Sequence, residues 1–126
     1  MSLCRVGTAD LPARAEHVEL RLIDQEGENA NLDFVLLDTV RTVEKLRQEG
    51  RTVLIHCVQA QSRTPTIATL YGARLRDIDI AEALADVCGV LRNACPIPEF
   101  REALRRLHPV AHENQDDQRG KRTTSA

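Results

Sequence analysis

The pattern of the chain changes abruptly around residue 57, and that change limits the fold more than any other feature. Thr52-Val53-Leu54-Ile55 is a short run of β-branched and apolar residues, the composition of a strand covered on both faces. The run ends in His56-Cys57. From Arg63-Thr64-Pro65 onward, Ile67, Leu70, Tyr71 and Leu75 recur at helical spacing, with proline in the first turn where its missing N–H costs nothing. Only Val58, Gln59, Ala60, Gln61 and Ser62 join strand to helix, so the backbone must turn sharply. Its N–H groups can then converge on an anion, and the positive end of the helix dipole adds to the attraction.

The rest of the chain supplies elements to hold such a loop. Residues 1–6 read as a short strand closed by Gly7, and residues 17–23 alternate Val18, Leu20 and Leu22 with Glu19 and Arg21, the period of a half-buried strand. Residues 24–31, rich in Asp, Glu, Gly and Asn, read as a loop. Leu32, Val35, Leu36, Val40, Val43 and Leu46 share one helix face, with Asn31 as N-cap and Gly50 as stop. Asp79 and Glu82 have capping-box spacing before a helix with stripe Ile80, Leu84, Val87 and Leu91. Pro98 opens a last helix with Phe100, Leu104 and Leu107 inward. Strands alternating with helices require right-handed crossovers and parallel pairing. The expected fold is therefore α/β, a small and mostly parallel sheet flanked by helices, with an all-helical C-terminal half. Residues 1–108 form the expected domain, and the polar, aperiodic stretch 109–126 is expected to be disordered.

Composition removes several classes of function. A chain of 126 residues has room for one core. A net charge of −2 and only three aromatic residues, Phe34, Tyr71 and Phe100, offer neither the basic surface nor the stacking platforms of a nucleic-acid binder. No apolar run approaches the roughly 20 residues of a membrane span, and the first residues, lacking a basic region followed by an apolar stretch, are not expected to be a signal peptide. The four cysteines, Cys4, Cys57, Cys88 and Cys95, lack zinc-type spacing, so neither metal nor cofactor is called for. The expected setting is cytoplasmic, with Cys4, Cys88 and Cys95 as reduced packing residues. A reversible disulfide between Cys57 and one of them is the lesser reading. His17, His108 and His112 read as ordinary surface residues, and Arg74, Arg76, Arg101, Arg105 and Arg106 as solvated helix faces.

Cys57 and Arg63 carry the chemistry. A cysteine followed six positions later by arginine is weak on its own in a chain with fifteen arginines, and Cys95 with Arg101 repeats the spacing. That second pair encloses two prolines and follows no strand. Around Cys57 the loop and helix fields lower the thiol pKa and generate a thiolate nucleophile. The planar fork of Arg63 can hold two phosphoryl oxygens, and Thr64 or Ser62 can hydrogen-bond the sulfur as it leaves. His56 is expected to orient the loop rather than move protons. The leaving oxygen needs a carboxylic acid, for which Asp24, at a strand end before a glycine-containing loop, is the first choice over Glu26, Glu28 and Asp33.

These residues resemble the signature loop of the dual-specificity and cysteine-based protein tyrosine phosphatases, His-Cys-x5-Arg followed by Ser or Thr. His56, Cys57, Arg63 and Thr64 match it, and the resemblance runs from about Leu3 to Leu107. It implies a cysteinyl-phosphate on Cys57, phosphate held by Arg63 and the amides of residues 58–63, hydrolysis assisted by Thr64, and Asp24 on the family's mobile acid loop. The implied substrate is phosphorylated protein, on tyrosine and serine/threonine, or a small phosphomonoester. Two features depart from the family. Ala60 stands where a glycine is usual, which would strain the loop if the position needs φ > 0. The family also has more sheet ahead of the first strand, which suggests a truncated domain or one once joined to a larger protein upstream of Met1. A phosphate-binding module without turnover, and a sulfur- or arsenic-handling enzyme on the same loop, are the alternatives.

Overall fold

In the computed structural model, residues 1–3, 16–20, 22–58 and 60–109 are described. The core is assembled around helix α2, Arg63–Arg76, which packs against α1 (Leu32–Gln48), α3 (Ile80–Val90) and α4 (Pro98–Leu107). Thr66, Ile67, Thr69, Leu70 and Ala73 of α2 are fully buried. Leu75, expected to face inward, is 67% exposed. It lies two positions beyond Ala73, about 200° around the helix, and so points away from the core.

Helix α1 buries Leu32, Leu36, Val40 and Val43 along the face its spacing indicates. Lys45 and Arg47 in its last turn complement the dipole. It ends as expected at Gly50, which has φ +77° and donates its N–H to the Arg47 carbonyl at 3.0 Å. The beginning differs from expectation. Asn31 sits in the left-handed region and makes no side-chain cap; only its carbonyl serves the helix, accepting the Val35 N–H at 3.0 Å. The capping box at α3 is likewise not made, for Asp79 is extended but its carboxylate caps nothing. α3 buries only Ile80 and Ala83 and lies at the rim, whereas α4 inserts Phe100, Ala103 and Leu104, all at 0% exposure.

Three extended segments run beside the helices. Residues 1–3 lie in the middle: Ser2 forms parallel bridges with both Glu19 and His56. Its N–H donates to the Val18 carbonyl at 2.8 Å and its carbonyl accepts from Leu20 at 2.8 Å. On the other side, Leu3 donates to the His56 carbonyl at 3.0 Å and His56 to the Met1 carbonyl at 3.2 Å. The pairing is parallel, as the strand–helix order requires, although among the described residues it amounts to isolated bridges. Leu3, Leu20, Leu22, Ile55 and Cys57 turn toward the helices and pack on the core. Leu54, between Val53 and Ile55, is 74% exposed. The run before Cys57 is therefore covered on one face, not two as its composition suggested, because alternation sends every second side chain outward.

Three of the five arginines expected to be solvated tie the helices together. Arg74 grips Glu44 of α1 at 2.5 and 3.3 Å, Arg76 pairs with Asp86 of α3 at 2.6 Å, and Arg106 clasps Asp33 of α1 at 2.7 and 3.0 Å. His108 is also engaged, donating from Nε2 to the Ile78 carbonyl at 2.9 Å. Among the described residues no helix is long and apolar enough to cross a membrane. Cys4, His112 and the stretch 110–126, part of the expected tail, lie outside the described residues.

Candidate active site

The loop after Cys57 sits where the extended run stops and α2 begins. Asp24, Cys57, Val58, Gln61, Ser62 and Arg63 together line a half-open cavity of about 240 Å³. Residues 33 positions apart in sequence thus share one surface, because the segment leading to Asp24 and the segment leading to Cys57 flank the same central run. Of the four acids weighed from sequence, Asp24 alone lines this cavity. Asp33 is held by Arg106, which keeps its carboxyl below the usual carboxylate range, chiefly through their hydrogen bond. The base of the Asp24 loop is braced by Asn29, whose amide donates to the Ile23 carbonyl at 2.7 Å and accepts from the Ile23 N–H at 2.8 Å. Its tip is tied to α4, the Gly27 N–H donating to the Glu99 carboxylate at 3.0 Å.

Val58, Ala60, Gln61 and Ser62 donate no backbone N–H to another main-chain carbonyl among the described residues. In a tight turn beside the N-terminus of a 14-residue helix, such donors can serve an anionic ligand. The turn is made by Ala60, which has φ +52°. That is the left-handed region where a Cβ costs about 1–2 kcal/mol relative to glycine. Gln59, also expected among the phosphate-binding residues, lies outside the described residues.

Arg63 is half-buried. Its Nη1 makes long hydrogen bonds to the carbonyls of Leu3 and Leu22, 3.4 and 3.3 Å, which orient the guanidinium across the ends of two extended segments. Its Nε is buried and has no hydrogen-bond partner among the described residues. A desolvated guanidinium N–H without an acceptor is costly unless a ligand supplies one. The hydroxyls depart from expectation. Thr64 Oγ1 is buried and makes no hydrogen bond among the described residues, the Cys57 sulfur included. Ser62 Oγ accepts the Ile97 N–H at 3.0 Å. Together with the Cys95 N–H, which donates to the Gln61 carbonyl at 2.6 Å, this contact fastens the loop to the segment entering α4. The spacing twin of the loop, Cys95 with Arg101, has a different setting: Arg101 Nη2 lies 3.7 Å from the exposed Cys95 sulfur, and the Cys95 N–H is spent on the Gln61 carbonyl.

No family model matches the sequence. The chain is 28% identical over 88 residues to dual specificity protein phosphatase 1 of Arabidopsis thaliana, a match covering 70% of this chain and 43% of that protein. Among solved structures it superimposes on Cydia pomonella PTP-2 phosphatase at 30% identity and TM-score 0.67, covering 82% of this chain and 66% of the other. It also matches the active form of Tk-PTP at 25% identity and TM-score 0.68, covering 85% and 76%. Human DUSP28, 24% identical with TM-score 0.73 over 85% and 71% of the chains, shares the fold. In sequence and in structure the chain is thus similar to dual-specificity and protein tyrosine phosphatases, and it spans less than half the length of the curated relative it matches. Its fold is the α/β phosphatase fold of these neighbours.

Sequence reasoning missed two residues, Ser2 and His17, that contact the residue preceding Cys57 or its partner. His17, read as an ordinary surface histidine, is half-buried and lies with Nε2 2.8 Å from Ser2 Oγ. The same oxygen is 2.5 Å from His56 Nε2. His56 is thus held by a side chain from the neighbouring segment. No sequence signal marks this cluster, since it exists only once three separated segments lie side by side.

Proposed function

We propose that the protein hydrolyses phosphomonoesters of phosphorylated proteins, on tyrosine and on serine or threonine, through a cysteinyl-phosphate. The carrying observation is the shared cavity of Asp24, Cys57 and Arg63 with the loop residues Val58, Gln61 and Ser62, in a chain similar to phosphatases of this type. The Cys57 thiolate attacks phosphorus and forms an S–P bond while the bond to the leaving oxygen breaks. Asp24, as the acid, gives that oxygen its proton and becomes a carboxylate. Phosphoryl oxygens are held by the loop N–H groups and by the Nε of Arg63, which has no hydrogen-bond partner among the described residues. Water then attacks the phosphocysteine, Asp24 recovers a proton from it, and phosphate leaves the sulfur. Thr64, whose buried hydroxyl has no hydrogen-bond partner among the described residues, is positioned in sequence to donate to the departing thiolate.

Substrate breadth follows from the shape of the opening. The cavity is small and half-open and its rim carries Val58, 73% exposed, but no aromatic wall. Such a site can reach a phosphoserine on its short stem as well as a phosphotyrosine. The loop holds no lysine, which disfavours highly phosphorylated lipids or inositols.

One observation favours a second reading, a phosphate-binding module without turnover: the left-handed Ala60. Wild type and Cys57→Ser assayed with para-nitrophenyl phosphate and with phosphotyrosine and phosphothreonine peptides separate the two. Turnover by wild type, lost in the variant while peptide binding persists, supports the hydrolase. Binding by wild type with no phosphate release supports the module.

A further inference from the structure

Ser2 is fully buried, yet its hydroxyl is bracketed by two imidazoles, His17 Nε2 at 2.8 Å and His56 Nε2 at 2.5 Å. An oxygen with a single proton cannot donate to both. At least one of the two Nε2 atoms must therefore carry hydrogen. The Ser2 proton, sealed from solvent, is best satisfied by the other ring. With both rings neutral the two histidines are then opposite tautomers, coupled through one oxygen. His56 is the residue immediately before Cys57, and its backbone is already locked on both sides, to Met1 and to Leu3.

We propose that Ser2 is a positioning residue for the reaction: with His17 it fixes the tautomer and orientation of His56, and so sets the acidity of the Cys57 thiol. The inference rests on the reading of Cys57 as the nucleophile. The hydroxyl acts through His56 and does not touch substrate. Other charged groups surround this relay. Glu16 and Glu19 flank His17, with Glu16 paired to Arg51 of the third segment. The Met1 ammonium donates to the Leu54 carbonyl at 2.7 Å. Arg63 reaches in from α2 to Leu3 and Leu22, and Asp24 lies across the cavity. None of these is hydrogen-bonded to the Ser2 hydroxyl among the described contacts, so His17 and His56 are the groups its loss disturbs first.

The test is the pH dependence of Cys57 alkylation by iodoacetamide, followed by mass of the modified peptide and read without turnover. Wild type, Ser2→Ala, Ser2→Thr and His17→Gln are compared, with para-nitrophenyl phosphate hydrolysis measured in parallel. Ser2→Ala and His17→Gln are expected to raise the alkylation midpoint by about half a unit or more, and Ser2→Thr to restore it. The acid limb of kcat/KM should move with it. A midpoint identical to wild type in both Ser2→Ala and His17→Gln overturns the proposal, even if Ser2→Ala melts earlier, because a purely structural serine would lower stability alone. Should Ser2→Ala fail to fold, His17→Gln, at a half-exposed position, decides by the same criterion. A wild-type profile like that of free cysteine is a separate result: it overturns the nucleophile assignment itself.

Discussion

At the scale of single residues, Ala60 and Asp24 carry the sharpest expectations. Ala60 holds the turn of the loop in a conformation that suits glycine. Ala60→Gly should raise stability by about 0.5–1 kcal/mol, the relief of left-handed strain being partly offset by the greater freedom of glycine in the unfolded chain. Urea titration checks this, and a midpoint that falls would show that the alanine is unstrained. Asp24 is exposed at the cavity lip, held by a loop braced at base and tip. Asp24→Asn should slow hydrolysis of phenyl phosphate by about 100-fold and that of para-nitrophenyl phosphate much less, since only the poorer leaving group needs the proton. Equal losses on both substrates would assign the acid elsewhere.

At the scale of elements, the helices are joined by side chains that the sequence alone presented as solvated. The Arg106–Asp33 pair links the end of α4 to the first turn of α1. The Asp33 carboxyl lies below its ordinary value, first because of the Arg106 hydrogen bond. A carboxyl lowered on folding contributes its full share above the unfolded value of about 4 and loses it as pH falls through the folded value. Asp33→Asn should therefore lower the urea midpoint slightly at pH 7 and have a smaller effect near pH 3. A difference that persists undiminished at pH 3 would mean that the contact does not depend on charge. The pair is exposed, so the effect is small at every pH.

At the scale of the whole molecule, stability depends on the junction of α1, α2 and α4 around Phe100. Phe100→Ala should cost about 3–5 kcal/mol, a large part of what a domain of this size has, with the thermal midpoint as the readout. A loss below about 1 kcal/mol would mean that the core can close over the vacancy. The helical part of this architecture was largely legible in the sequence, because Leu32, Leu36, Val40, Ile67, Leu70, Phe100 and Leu104 repeat at the helix period and all are buried in one cluster. The loop was legible for a similar reason: five residues between an apolar run and a proline-opened helix leave little choice of path. Cap chemistry was not, since Asn31 and Asp79 have capping side chains but find backbone geometries that leave them unused. The partners of Arg74, Arg76 and Arg106 were hidden because charge pairing across helices depends on their rotation. The Ser2 cluster was hidden because it needs the order of the extended segments.

The fastening of the loop to residues 95 and 97 has a consequence for how the protein is made. Cys57 leaves the ribosome 38 residues before Cys95, whose amide restrains Gln61, and Ile97, which engages Ser62, follows later still. Until that stretch has emerged and settled, the turn after Cys57 lacks both of these ties. The loop therefore gains these two restraints only when the segment entering the final helix docks, and a nascent chain halted before residue 95 should hold the turn less firmly.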